Sequence, residues 1–219
     1  MTGIEGVAIE IDEEAVVLTA VAPLTVLSSA VEGGGLGHAR AIVNLHVDKH
    51  CPWGDVALRL DAFAARRALP SPRVGLLTAA WTAQARVAAE RGGDLEAVVV
   101  VTVGLGNLIS AGWSAAVPAP VGTINTIVVL DADPEPAALV NLALTVTEVK
   151  TLILSEAGLR CADGRPASGT STDAVVVAAT GRGRPVRFGG PISEAGWLVA
   201  NVARRAIGDG ARSWIEQHR

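Results

Sequence analysis

The sequence predicts an α+β fold, with mixed, mainly antiparallel sheets and helices packed on their outer faces. Three observations carry this. Half of the 219 residues are apolar but only 3% are aromatic, so the core has to be built from Ala, Val, Leu and Ile. Such side chains suit a sheet covered by helices with Ala-rich faces. The amino-terminal segments are short apolar runs separated by turn residues, as hairpins are. Helical spacing is concentrated in three stretches, near 55–68, 135–157 and 192–207. At this length one domain, 1–219, is expected.

Taken in order, 7–11 and 15–21 form a hairpin around Asp12-Glu13-Glu14. Strands near 24–28 and 40–47 flank the glycine loop Glu32–Gly37. After the Pro52-Trp-Gly-Asp55 break comes a helix near 55–68 with Asp55 as N-cap and Val56, Leu58, Leu60, Phe63, Ala64 and Leu69 at roughly helical spacing. Strands follow at 73–78, 81–90 and 96–103, the middle one rich enough in Ala to suit a helix too. Residues 104–122, with Gly104, Gly106, Gly112, Gly122, Pro118 and Pro120, are a loop. It delivers the chain to a strand at 123–131. The strongest helix, 135–157, is expected to be capped by Asp133, to hold Pro134 in its first turn and to end at Gly158. A polar loop leads to a strand at 174–180. A last helix at 192–207 resumes its pattern after Gly208-Asp-Gly210.

Several function classes are excluded. A net charge of −4 and the lack of a basic face argue against nucleic acid, and Arg66-Arg67 and Arg204-Arg205 read as solvated helix faces. No apolar run is read as long enough to span a membrane, and the acidic amino terminus is unlike a secretory signal. Cys51 and Cys161 match no disulfide framework or metal spacing and fit a reducing cytoplasm. His38, His46, His50 and Cys51 are near one another in sequence, but their spacing is not that of a zinc site. Neither metal nor cofactor is expected. The phosphate-loop pattern is absent, and Gly104-Leu-Gly-Asn-Leu-Ile does not complete GxGxxG. The five tryptophans are core or interface anchors, or surfaces for a planar ligand. The apolar content also suits a homo-oligomer.

The most informative stretch is Gly122-Thr-Ile-Asn-Thr-Ile-Val-Val-Leu-Asp131. A doubly buried strand should be nearly all Val, Ile and Leu, yet Thr123, Asn125 and Thr126 sit at its entrance. Each would cost roughly 1–3 kcal/mol if buried unpaired. Asn141–Lys150 and Gly169-Thr-Ser-Thr-Asp173 follow. In this order and spacing, with Val26–Ala30, Gly33–Gly35, Ile42–Leu45, Val74–Ala80 and Thr102–Asn107 upstream, these segments resemble the adenosylcobinamide amidohydrolase family over about residues 25–207. The resemblance implies hydrolysis of the amide that joins a corrin propionyl side chain to aminopropanol, with the corrinoid as substrate. One departure is Gly183-Arg-Pro-Val-Arg187, where the family usually carries a Gly-Thr-His-type stretch. A remoter resemblance, in Gly122-Thr123 and Ser168–Ala174, is to the D-Ala-esterase/amidase aminopeptidases and the ornithine acetyltransferases. It implies a four-layer αββα arrangement and a nucleophile freed by cleavage before Thr123.

Amide hydrolysis needs a nucleophile or an activated water, a proton relay and donors for the oxyanion. Thr123 is the candidate nucleophile or water-positioning hydroxyl, or else a residue that merely bonds its loop-to-strand junction. Left uncleaved it needs a base, for which Glu148, Lys150 and Asp173 are available. Glu148 is the expected proton relay, since burial in its apolar stretch would raise its pKa. Lys150 falls off the line shared by Thr145 and Glu148. Asn125 and Asn107 are donors for an oxyanion or a substrate amide, and Asn44 likewise. Gly169, Thr170, Thr172 and Asp173 form a substrate clamp or a self-satisfied turn. A corrinoid-binding protein without turnover and a self-processing aminopeptidase-like hydrolase are the alternative functions.

Overall fold

The structure, a computed structural model, describes residues 3–49, 51, 53–116 and 123–218. In chain order the elements are β1 (Val7–Ile11), β2 (Ala15–Ser28), β3 (Gly35–His46), α1 (Val56–Arg66), β4 (Arg73–Thr78), β5 (Arg86–Gly92), β6 (Leu95–Val103) and β7 (Leu108–Ile109). They continue with β8 (Ile124–Asp131), β9 (Asp133–Pro134), α2 (Pro136–Glu156), β10 (Gly169–Thr170), β11 (Ala174–Ala179), β12 (Pro185–Val186) and α3 (Glu194–Gln217). One sheet runs β4-β3-β2-β11-β8-β6-β5, with β1 also on β2. Its pairs are antiparallel except β3 with β4 and β8 with β11.

β2 turns this sheet into two layers. Its first half pairs with β1 on one edge, and its second half pairs with β11. Between Thr19 and Leu24 the chain takes five steps along β2 against two along β3 (Ala41 to Ala39). Pro23 falls within this irregularity, where a residue with no N–H costs the ladder least. The sheet then folds back on itself. Val16, Leu18, Ile42, Val74 and Leu76 share a core with Val98, Val100, Ile127, Val129 and Val176, although β4 and β6 lie far apart in strand order. α1 covers the outer face of the first layer, with Leu60 and Phe63 on Val17, Val43 and Leu45. α2 and α3 cover the second, with Leu142, Val146, Val199 and Val202 on Val99, Val128 and Val177. The arrangement is αββα.

Several local expectations change. α2 starts one residue later than expected, at Pro136, and its N-cap is Glu135 rather than Asp133. Asp133-Pro134 are instead held as a strand against Pro185-Val186. Gly158, at φ +67, does follow the helix end. α2 is also 21 residues long, with a mean hydropathy of 1.6 in its most apolar window, so by length and composition it could cross a membrane, contrary to the sequence expectation. Half of that window is buried in this fold, where it packs on the sheet. α3 passes unbroken through Gly208 and Gly210. A Cβ on Gly210 would sit 2.6 Å from Val103 Cγ2, so glycine serves close helix–strand packing there. Ser193 caps α3 by accepting from the Gly196 N–H. The strand expected from 81 begins only at Arg86, after a 3-10 turn at Thr82–Gln84. Trp81, Trp113 and Trp197 are exposed rather than core anchors.

Candidate active site

The parallel strands β8 and β11 begin side by side, with Asn125 opposite Ala174. Alternation along β8 turns Thr123, Asn125 and Ile127 toward the space between the layers. Thr123, Asn125, Asn44 and Thr102 are each 1% exposed and bonded into one network. Asn125 donates both amide hydrogens, to Asn44 Oδ1 and to the Leu77 carbonyl, each at 2.8 Å. Asn44 Nδ2 donates to Thr102 Oγ1 at 2.9 Å. The Thr123 hydroxyl lies 2.7 Å from Asn125 Oδ1 and 2.8 Å from the Thr172 carbonyl, both acceptors. The chain of bonds therefore spans both layers, from β4 and β3 to β8 and β6.

Its polarity is fixed by one backbone carbonyl. Leu77 O only accepts, so Asn125 Nδ2 must face it and Oδ1 must face Thr123. Thr123 is thereby the donor, its single hydroxyl hydrogen shared between Asn125 Oδ1 and Thr172 O. Asn125 has no amide hydrogen left for an oxyanion, so its geometry is that of a residue orienting Thr123. Asn44 keeps a second N–H that the network does not use.

The turn before β11 pins the same strand ends from the other side. Asp173 Oδ1 accepts from the Ile124 backbone N–H at 3.0 Å and from the Thr170 hydroxyl. Its Oδ2 accepts from the Thr170 N–H at 3.1 Å and from the Lys150 ammonium. The Lys150 and Asp173 side chains are 11% and 12% exposed. Gly169 leaves room for the pair, since a Cβ there would lie 2.5 Å from Asp173 Oδ2 and 2.8 Å from Lys150 Nζ. Thr170 is buried as well. The 169–173 segment is thus the self-satisfied turn, with Thr172 offering its carbonyl to Thr123. Asn107 Nδ2 donates to Ser171 Oγ, and β7 pairs with β10, which closes the 104–109 loop onto this turn.

Glu148 is exposed on the outer side of α2 and makes none of these contacts, which overturns its expected burial. The buried arc of α2 runs through Leu142, Thr145, Val146, Val149, Lys150 and Ile153. Three residues advance a helix by 300°, which carries Glu148 just off that arc although Thr145 lies on it. Lys150, read as pointing elsewhere, is the charged residue that turns inward. Thr102 was missed too. Its signal was of the kind that marked Thr123, a lone hydroxyl in a Val run at a strand end.

Two cavities are lined by residues that bond Thr123, although the buried threonine itself lines neither. One of about 230 Å³ is lined by Ser29, Leu76, Asn125, Thr172 and Asp173. The other, about 450 Å³, is lined by Ala80, Trp81, Gly104, Asn107, Trp214 and His218 among others. Its floor is close to the threonine, because the Gly104 N–H donates to Thr123 O at 3.0 Å. A Cβ on Gly104 would sit 3.7 Å from the Thr123 nitrogen. Gly122, and with it the bond proposed for cleavage, lies outside the described residues, as does His50. Among the described residues no three His, Cys, Asp or Glu side chains gather as a metal site would need.

The family profile of adenosylcobinamide amidohydrolase matches residues 2–219. The chain belongs to that family. It is therefore an amidohydrolase of cobamide salvage, a hydrolase acting on amide bonds, in a family whose substrate is a corrinoid small molecule. No curated protein matches it. Among solved structures, a β-aminopeptidase from a Burkholderia species shares 13% identity at TM-score 0.50, over 94% of this chain and 79% of that one. The L-aminopeptidase D-Ala-esterase/amidase of Ochrobactrum anthropi shares 12% identity at TM-score 0.39, over 95% and 83%. The first likeness shows the fold, in line with the four layers found here. The family departure at 183–187 now has a location. β12 follows β11 and pairs beside the end of β8, so these residues sit at the opposite end of the strands from Thr123. Eight residues of β8 put roughly 25 Å between the two ends, so a histidine at 183–187 would not reach the Thr123 hydroxyl.

Proposed function

We propose that the protein hydrolyses the aminopropanol amide of adenosylcobinamide, consuming one water and releasing adenosylcobyric acid and 1-amino-2-propanol. The observation that supports this most directly is the Thr123 hydroxyl held between the acceptors Asn125 Oδ1 and Thr172 O, on a residue whose carbonyl accepts from Gly104 in the wall of the cavity that also holds Trp81 and Trp214. A corrinoid presents a broad apolar ring edged with amides. The exposed Trp81 and the partly buried Trp214 suit the ring, and Asn107, Gln84 and Gln217 around the same cavity suit the amides. The cavity takes the propionyl-aminopropanol arm, with the ring at its mouth. Thr123 Oγ attacks the amide carbon, the second N–H of Asn44 meets the developing oxyanion, and the hydroxyl proton passes to the departing nitrogen as the C–N bond breaks and the amine leaves. Water then hydrolyses the acyl ester on Thr123, which releases adenosylcobyric acid and restores the hydroxyl.

Both partners of the Thr123 hydroxyl are neutral acceptors, and neither Asp173 nor Lys150 bonds it. This favours a second reading of the mechanism, in which the base is the α-amine of Thr123, freed by cleavage of the bond to Gly122. Incubating the purified protein with adenosylcobinamide, with product and intact mass read together, tests both. Release of aminopropanol that is lost in Thr123→Ala supports the hydrolase. Chains of 122 and 97 residues, from 219 in all, support self-processing. Binding of the corrinoid with no aminopropanol released at high enzyme concentration would refute the catalytic reading and leave a corrinoid-binding protein.

A further inference from the structure

Two histidine–tryptophan stacks stand around the 450 Å³ cavity, and the proposed hydrolysis uses neither histidine. His218 lies flat on Trp214, with ring centroids 3.9 Å apart and planes at 8°. His46 lies on Trp81 at 4.7 Å and 19°. In each, Nδ1 faces a backbone carbonyl, Trp214 O at 2.8 Å and Ala80 O at 3.0 Å. A carbonyl only accepts, so Nδ1 carries the proton and Nε2 keeps a lone pair. Histidines that ligate metals are held this way, with the second ring nitrogen donating to a carbonyl or carboxylate that fixes tautomer and ring orientation. His218 lines the cavity together with Trp214, whereas of the other pair Trp81 lines it and His46 does not.

Resting on the corrinoid reading above, we propose that His218 Nε2 binds the cobalt of the substrate on its lower axial face during catalysis. Cobinamide lacks the nucleotide base that occupies this position in complete cobamides, so only water has to leave. The aminopropanol-bearing side chain projects from that same lower face of the corrin. An enzyme holding this arm in the cavity, whose Gly104 bonds Thr123, therefore presents the cavity lining, with His218 in it, to the lower side of the metal. The stack on Trp214 and the bond to its carbonyl preset the ring, which lowers the ordering cost of coordination. No protein bond breaks, and the cobalt oxidation state is unchanged.

The test uses the full-length protein with cob(II)inamide, read by electron paramagnetic resonance, alongside turnover of adenosylcobinamide. One axial nitrogen splits each cobalt line into a triplet, and protein labelled with nitrogen-15 histidine converts the triplet to a doublet without any mutation. The expected result is that splitting, lost in His218→Gln but kept in His46→Gln. His218→Gln should retain wild-type thermal unfolding and hydrolyse adenosylcobinamide with KM raised about tenfold or more. Bound corrinoid without nitrogen splitting, with hydrolysis intact, overturns the inference and leaves the hydrolase standing. Splitting that survives His218→Gln also overturns it. Neither binding nor hydrolysis of any corrinoid would remove the reading on which it rests.

Discussion

Replacing Lys150 by Met keeps most of the side-chain volume but removes the ammonium from Asp173. Both side chains are close to nine-tenths buried, and breaking a buried pair costs about 3–5 kcal/mol because the partner charge is left uncompensated. Asp173 would still hold the Ile124 N–H, the Thr170 N–H and the Thr170 hydroxyl, so the lower figure, about 3 kcal/mol, applies. For a chain of this size each kcal/mol moves Tm by roughly 2–4 °C, giving a fall of roughly 6–12 °C. Urea unfolding of Lys150→Met, Asp173→Asn and the double variant measures it. The double variant should lose clearly less than the sum of the singles, because each single leaves one member of the pair stranded. Because Asp173 also holds the peptide after Thr123, kcat for amide hydrolysis should fall more than KM rises. A loss below about 1 kcal/mol, or additivity within about 0.5 kcal/mol, would show that the pair does not carry the junction.

Three further outcomes follow from the same geometry. Asn125→Asp turns two donors into acceptors facing Asn44 Oδ1 and Leu77 O, so a loss of about 3 kcal/mol by urea unfolding is expected, with activity abolished. Gly169→Ala drives a methyl between Lys150 and Asp173 and should cost about 1–3 kcal/mol, while Gly106→Ala, where a Cβ would meet nothing, should cost far less. At the far end of β8, burial pushes the Asp131 carboxyl up, but hydrogen bonds from Thr180 and Arg182 outweigh it and hold the pKa below the ordinary 3.8. A depressed folded pKa contributes stability above the unfolded value that is lost as pH falls through the folded one. Asp131→Asn should therefore flatten the stability loss below about pH 4 and leave the slope near neutrality unchanged.

What the sequence determined by itself was local or categorical. Alternation and apolar runs placed β1, β6, β8 and β11, and Gly158 placed the end of α2, because these follow from backbone sterics and side-chain period. Ordered segments indicated the family. Thr123 and Asn125 interrupt a strand at its entrance, and such interruptions are visible wherever the rest of the strand is Val, Ile and Leu. What the tertiary structure decided were relations across layers. Only the fold-back at β2 brings Asn44 and Leu77 to Asn125, and that choice spends both amide hydrogens and makes Asn125 an orienting group. Only the docking of α2 chooses between Glu148 and Lys150, two residues apart on one helix, because an apolar helix face nearly as rich outside as inside leaves its rotation undetermined until it meets the sheet. Strand direction sends residues 183–187 to the opposite end from Thr123. Sequence spacing cannot report that separation, since a chain that reverses at each turn puts neighbours in sequence at opposite ends of a sheet and distant segments in hydrogen-bonding contact.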